Sequence, residues 1–135
     1  MRMLLEVEGE KPEQVRCFAK VEAALRKLDA SGPHSFASLT RQDGSYVQVA
    51  GGKERCLIEK RDITDNTHWR ACSAGAPSFS EAPQILEFGG GRITMTADEI
   101  FHIDDVVSVW CDFFESRPFP ENIMWRNMTD MFRGS

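Results

Sequence analysis

No two cysteines in this sequence stand close together. Cys17, Cys56, Cys72 and Cys111 are spread one to a segment, which is neither a zinc-ribbon nor a CxxC spacing, so they read as reduced core residues of a cytoplasmic protein. The histidines are equally sparse: His34, His68 and His102 show no i, i+4 or HxxxH relation, and no metal or other cofactor is expected. Long hydrophobic runs are missing too. The opening MRMLLEVEGEKP has a short apolar patch before acids intervene, too short for a signal-peptide core or a membrane span. Neither export nor membrane contact is expected, and the Asn127-Met128-Thr129 sequon is then idle. Finally, the chain lacks an excess of positive charge: 16 basic against 21 acidic residues leave a net −5. That balance disfavours direct nucleic-acid binding and favours a basic protein as partner.

What is present is the composition of one folded domain. With 135 residues, 41% of them apolar, a single hydrophobic core is expected. Leu4, Leu5 and Val7 suit a short edge strand. Pro12 then opens PEQVRCFAKVEAALRKLDA, in which Phe18, Val21, Leu25 and Leu28 recur at helical spacing, and Gly32-Pro33 stops the helix. Its outer face is basic, with Arg16, Lys20 and Lys27.

From Ser35 the period changes to alternation, which predicts an antiparallel meander. SFASLTR turns at Asp43-Gly44 into SYVQVA, with Val47 and Val49 on one face, and Gly51-Gly52 ends that strand. A third strand near 55–60 sets Cys56 and Ile58 against Arg55, Leu57 and Glu59, and a fourth near 67–72 sets Trp69 and Ala71 against His68 and Arg70. Residues 73–83 have a loop composition and are expected to be mobile. QILEF, three glycines and RITM then form a last hairpin. The predicted fold is α+β, an antiparallel sheet of about five or six strands packed on two helices.

The stretch from Met95 to Trp125 carries the strongest signal. Thr96 with Glu99 is a capping box, so a helix is expected to start near Ala97 and to close at Arg117-Pro118. At ~100° per residue, Ile100, Ile103, Val106, Val107, Trp110, Cys111, Phe113 and Phe114 fill one buried arc. The opposite arc carries Asp98, Asp105 and Asp112, flanked by Asp104 and Glu115, with Phe101 and Val109 among them. An apolar residue ringed by acids suits docking: Phe101 as anchor, the carboxylates to steer a basic partner. The competing reading is a Phe101 covered within its own domain.

Catalytic readings find less support. Asp104 and Asp105 diverge by ~100° on a helix and make a poor acid–base pair. The glycines at 89–91 precede a strand, not a helix N-terminus, and read as a turn and not a phosphate loop. A small-ligand or enzymatic cleft lined by His68, Arg70 and a cysteine has no motif behind it.

The order of elements, with Gly51-Gly52 after the second strand, Thr96 and Glu99 opening a helix, then Phe113-Phe114, Arg117-Pro118, Glu121 and Trp125, resembles bacterial polymorphic-toxin immunity proteins. The nearest are those paired with nucleic-acid deaminase toxins. The resemblance implies a small cytoplasmic protein without catalytic activity, which binds a cognate toxin and blocks its active site or substrate access. The contact residues expected on the wheel and the meander turns are Asp98, Phe101, Asp104, Asp105, Val109, Asp112, Glu59, Asp62 and Asp65. A secretion chaperone or adaptor is the alternative.

Overall fold

A computed structural model describes residues 2–73 and 83–129. Residues 74–82, and with them most of the expected loop, lie outside the described residues. The fold is α+β. Strands β1 (Met3–Val7), β2 (Glu13–Val15), β3 (Phe36–Thr40), β4 (Tyr46–Gly52), β5 (Arg55–Asp62), β6 (Thr67–Ser73) and β9 (Ile123–Asn127) form one antiparallel sheet in the order β2-β1-β3-β4-β5-β6-β9. Strands β7 (Gln84–Phe88) and β8 (Gly91–Met95) pair with each other in a separate two-stranded sheet. Among the described residues the main sheet thus has seven strands, because Glu13–Val15 and Ile123–Asn127 join its two edges.

Alternation sorts the two faces as expected. Leu5, Leu39, Val47, Val49, Ile58 and Ala71 turn inward to meet α1 (Phe18–Arg26) and α2 (Ile103–Phe114) in the main core. Ala50 and Leu57 face the other way and meet Leu86 and Met95 of the β7–β8 hairpin in a smaller second core. The hairpin therefore covers the face that the helices leave.

The first helix begins later than its sequence suggests. Residues 13–15 complete the open edge of β1, with Met3 opposite Val15 and Leu5 opposite Glu13. Pairing a bare strand edge and burying Val15 outweigh the helical start offered by Pro12, and the helix begins after an extended Cys17. β1 is consequently an inner strand, not an edge.

The second helix is divided. The Thr96–Glu99 capping box forms, but it caps a single 3-10 turn, Ala97–Glu99. Ile100 is extended, and Phe101 exchanges two backbone hydrogen bonds with Cys56, its N–H donating at 2.9 Å and its carbonyl accepting at 2.8 Å. A second capping box, His102 with Asp105, then starts α2. This helix ends at Phe114, before Arg117-Pro118, with Ser116 in the left-handed region and the Arg117 N–H donating to the Asp112 carbonyl at 2.8 Å. The return segment is held by Phe119 and Trp125, whose rings are 5.1 Å apart and flank the Lys60 ammonium at 4.9 and 4.8 Å.

Candidate functional site

The acidic docking face expected on the second helix does not assemble. Phe101 is 5% exposed and Val109 fully buried, both in the main core, so neither is a surface anchor. Phe101 is inward because its backbone is a strand-like bridge, outside the helical phase that placed it among the acids. Most of the acids are committed locally. Asp104, exposed on α2, accepts from Arg26 of α1 at 2.8 Å, Asp105 caps the His102 N–H at 3.2 Å, and Asp112 pairs with Arg117 at 3.2 Å. Asp98 pairs with Arg126 at 3.2 Å. In the β5–β6 turn, Asp62 accepts from the Thr64 N–H at 3.1 Å and Asp65 from the Thr67 hydroxyl. Glu59 is buried within β5 and not at the turn.

A different constellation spans the second face of the sheet. The register aligns Glu6, Ser38, Gln48, Glu59, Arg70 and Arg126 as successive cross-strand partners through β1, β3, β4, β5, β6 and β9. One polar residue per strand makes a continuous row. Its β4-to-β9 half is internally satisfied: Gln48 donates to Glu59 at 2.8 Å, Arg70 donates to Glu59 at 3.0 Å, and Arg126 pairs with Glu99. Arg70 also lies 3.5 Å from Glu99 and donates to the Thr94 carbonyl of β8, while His68 Nε2 stands 3.5 Å from Glu59. This network joins the sheet, the 3-10 turn and the hairpin, and includes Glu59 and Asp98 from the expected contact set. Sequence reasoning placed Glu59 opposite Cys56 and Ile58, and Arg70 opposite Trp69 and Ala71, but had no means of aligning them, since register is set by partners far along the chain.

The β1-to-β3 half of the row is open. It borders a groove of about 360 Å³ between the sheet and the hairpin, walled by Val7, Phe36, Phe88 and Ile93 and carrying Glu6, Glu8, Glu10 and Glu59. The hairpin tip is fastened beside it. Glu8 accepts from the Ser35 N–H at 2.8 Å and hydroxyl at 2.6 Å, and Ser35 Oγ accepts from the Gly89 N–H at 2.7 Å. These Ser35 hydrogen bonds hold the Glu8 carboxyl below its ordinary range, so it is ionised at neutral pH.

The thiols divide differently from expectation. Cys56 and Cys72 are buried, but Cys17 is exposed and Cys111 half-buried. Burial, with the charge of Asp105 adding to it, pushes the Cys56 thiol up to about 12, and burial raises that of Cys72. Both therefore stay protonated at neutral pH, which suits packing and not nucleophilic attack. Among the described residues no group of His, Cys, Asp and Glu converges as a metal site.

Glu59 makes the network sensitive to acid. Burial disfavours its charge, but His68, Arg70 and Gln48 outweigh that penalty and hold the carboxyl below its usual range. A folded-state pKa below the unfolded value of about 4.3 contributes stability in full above that value and loses it as pH falls through the folded one. Glu59→Gln is accordingly expected to be less stable than the wild type at neutral pH and to lose less stability below about pH 4. Urea unfolding followed from neutral to acid pH checks this; parallel acid limbs for the two proteins would exclude a depressed Glu59.

No protein-family model matches the chain, and no curated protein matches its sequence.

Proposed function

We propose that this protein is an immunity-type inhibitor: it binds a basic toxin acting on nucleic acid, with a deaminase as the specific candidate, and blocks the toxin's active site or substrate access. The observation that carries the reading is the placement of negative charge. In a chain of net −5, carboxylates gather beside the open part of a sheet face whose β4-to-β9 polar groups are already paired. A protein surface evolved to hold polyanionic nucleic acid is cationic, and such a surface is steered towards carboxylates. The resemblance at Thr96, Glu99, Phe113, Phe114 and Trp125 supports the same reading. A cytoplasmic site of action goes with it, and no helix among the described residues is long and apolar enough to cross a membrane.

The test begins with lysate of the protein's own cells passed over the immobilised chain. A retained basic polypeptide is then expressed in a host with and without this protein. Growth arrest relieved by co-expression supports inhibition, whereas a retained set of many exported, non-toxic proteins would indicate the chaperone function instead. Retention of no toxic polypeptide overturns the proposal.

A further inference from the structure

The groove beside the hairpin has a chemistry more specific than negative charge. Among the described residues its lining includes four carboxylates and no lysine or arginine. They are not equivalent. Glu59 is neutralised by Arg70 at 3.0 Å, Glu8 is held by Ser35, and Glu10 lies 3.5 Å from His34 Nε2. Glu6 is exposed in the middle of β1 and makes no ion pair or hydrogen bond through its side chain with the described residues. Gln48 donates one of its two amide N–H groups to Glu59, and its carbonyl oxygen remains an acceptor in the same row, across Ser38 from Glu6. The walls are apolar, and Phe36 and Phe88 meet edge to face at 5.8 Å.

An unpaired carboxylate, a net negative charge and aromatic walls call for a ligand with a cationic donor head and an apolar stem. Resting on the inhibitor reading, we propose that this groove receives an arginine side chain from the partner protein, its methylenes against Val7 and Ile93 and its guanidinium towards Glu6 and Gln48. Arginine fits better than lysine. A guanidinium offers planar N–H groups to a carboxylate and an amide carbonyl together, and it stacks on aromatic faces at a lower desolvation cost than an ammonium. The alkyl stem covers apolar surface that is otherwise wet.

Two experiments bear on this. In the first, acetyl-tetraarginine-amide is titrated into the isotopically labelled protein, with the lysine and citrulline tetrapeptides as controls. Saturable amide shifts at Glu6, Ser38 and Gln48 are expected with the arginine peptide, weaker ones with lysine and none with the uncharged citrulline. Shifts spread over α2 and the β5–β6 turn, or unchanged in Glu6→Lys, would overturn the groove. In the second, Glu6→Lys is tested against the toxin identified above. Because the Glu6 side chain has no partner among the described residues to lose, melting should be unchanged while affinity falls roughly tenfold or more. A toxin bound and neutralised equally by Glu6→Lys overturns the groove and leaves the inhibitor function standing. Conversely, arginine-peptide binding at the groove by a chain that neutralises no toxin supports the groove chemistry and removes that function.

Discussion

Phe101→Ala is expected to lower the unfolding free energy by about 3–5 kcal/mol, the range for deleting a buried aromatic side chain, and to lower the melting temperature by on the order of 10 °C. Phe101 is 5% exposed among the main-core residues. Its backbone occupies the outer edge of β5 at Cys56, whereas the β5–β6 pairing lies further along, at Glu59–Asp62. The ring therefore anchors the joint between the 3-10 turn and α2. Since total stability of a domain is about 5–15 kcal/mol, the loss is a large fraction of what holds the fold. The same substitution separates the two readings of this residue. An exposed docking anchor predicts unchanged melting and faster dissociation of the partner; a core residue predicts the loss in stability with partner affinity preserved in the folded protein. Urea unfolding together with binding measured well below the midpoint distinguishes them, and an unchanged midpoint would mean that Phe101 is not core.

The position of Phe101 shows what a helical wheel requires. TADE and HIDD are two helix starts separated by Ile100-Phe101, and the box at Thr96 is real. The wheel extends one phase across both, yet the chain between them is extended, so the angle assigned to Phe101 had no physical meaning. Val109 failed for a smaller reason. It lies ~40° from Phe113 on an ideal helix, and the buried side of α2 extends that far, taking in Ile103, Val106, Val109, Trp110 and Phe113. Within the meander the outcome was better, because alternation is local: Val47 with Val49, Cys56 with Ile58, and Ala71 all face the core as their spacing predicts. Strand edges and cross-strand rows are not local. The pairing of Val15 with Met3, and the row from Glu6 to Arg126, depend on which strands become neighbours. That dependence is why the candidate groove is hidden in the sequence, although five of the row's residues, Glu6, Gln48, Glu59, Arg70 and Arg126, carry long polar side chains in otherwise strand-like sequence.

Gly52→Ala is expected to cost about 3 kcal/mol or more, at or above the upper end for overpacking, and to test the contact between the end of β4 and the end of the first helix. A Cβ at Gly52 would fall within the carbonyl oxygen and carbon of Leu28 and lie 2.8 Å from the Asp29 nitrogen. All three are backbone atoms, so no rotamer change makes room; the chain after α1 has to move. That chain is fixed from both sides. Leu28 is fully buried, and Asp29 pairs with Lys53 at 3.2 Å, while the Lys53 carbonyl accepts from the Ile103 N–H at the start of α2. Displacing it should loosen both helices together. Gly32→Ala provides the comparison that isolates the cause. Gly32 has φ +85° and no heavy atom within 4 Å of a Cβ, so alanine there meets conformational strain without a clash, worth about 1–2 kcal/mol. Gly52→Ala should therefore unfold at distinctly lower urea than Gly32→Ala, with hydrogen exchange accelerated in α1 and in the first turn of α2. Equal midpoints for the two variants would mean that the β4 end does not touch Leu28.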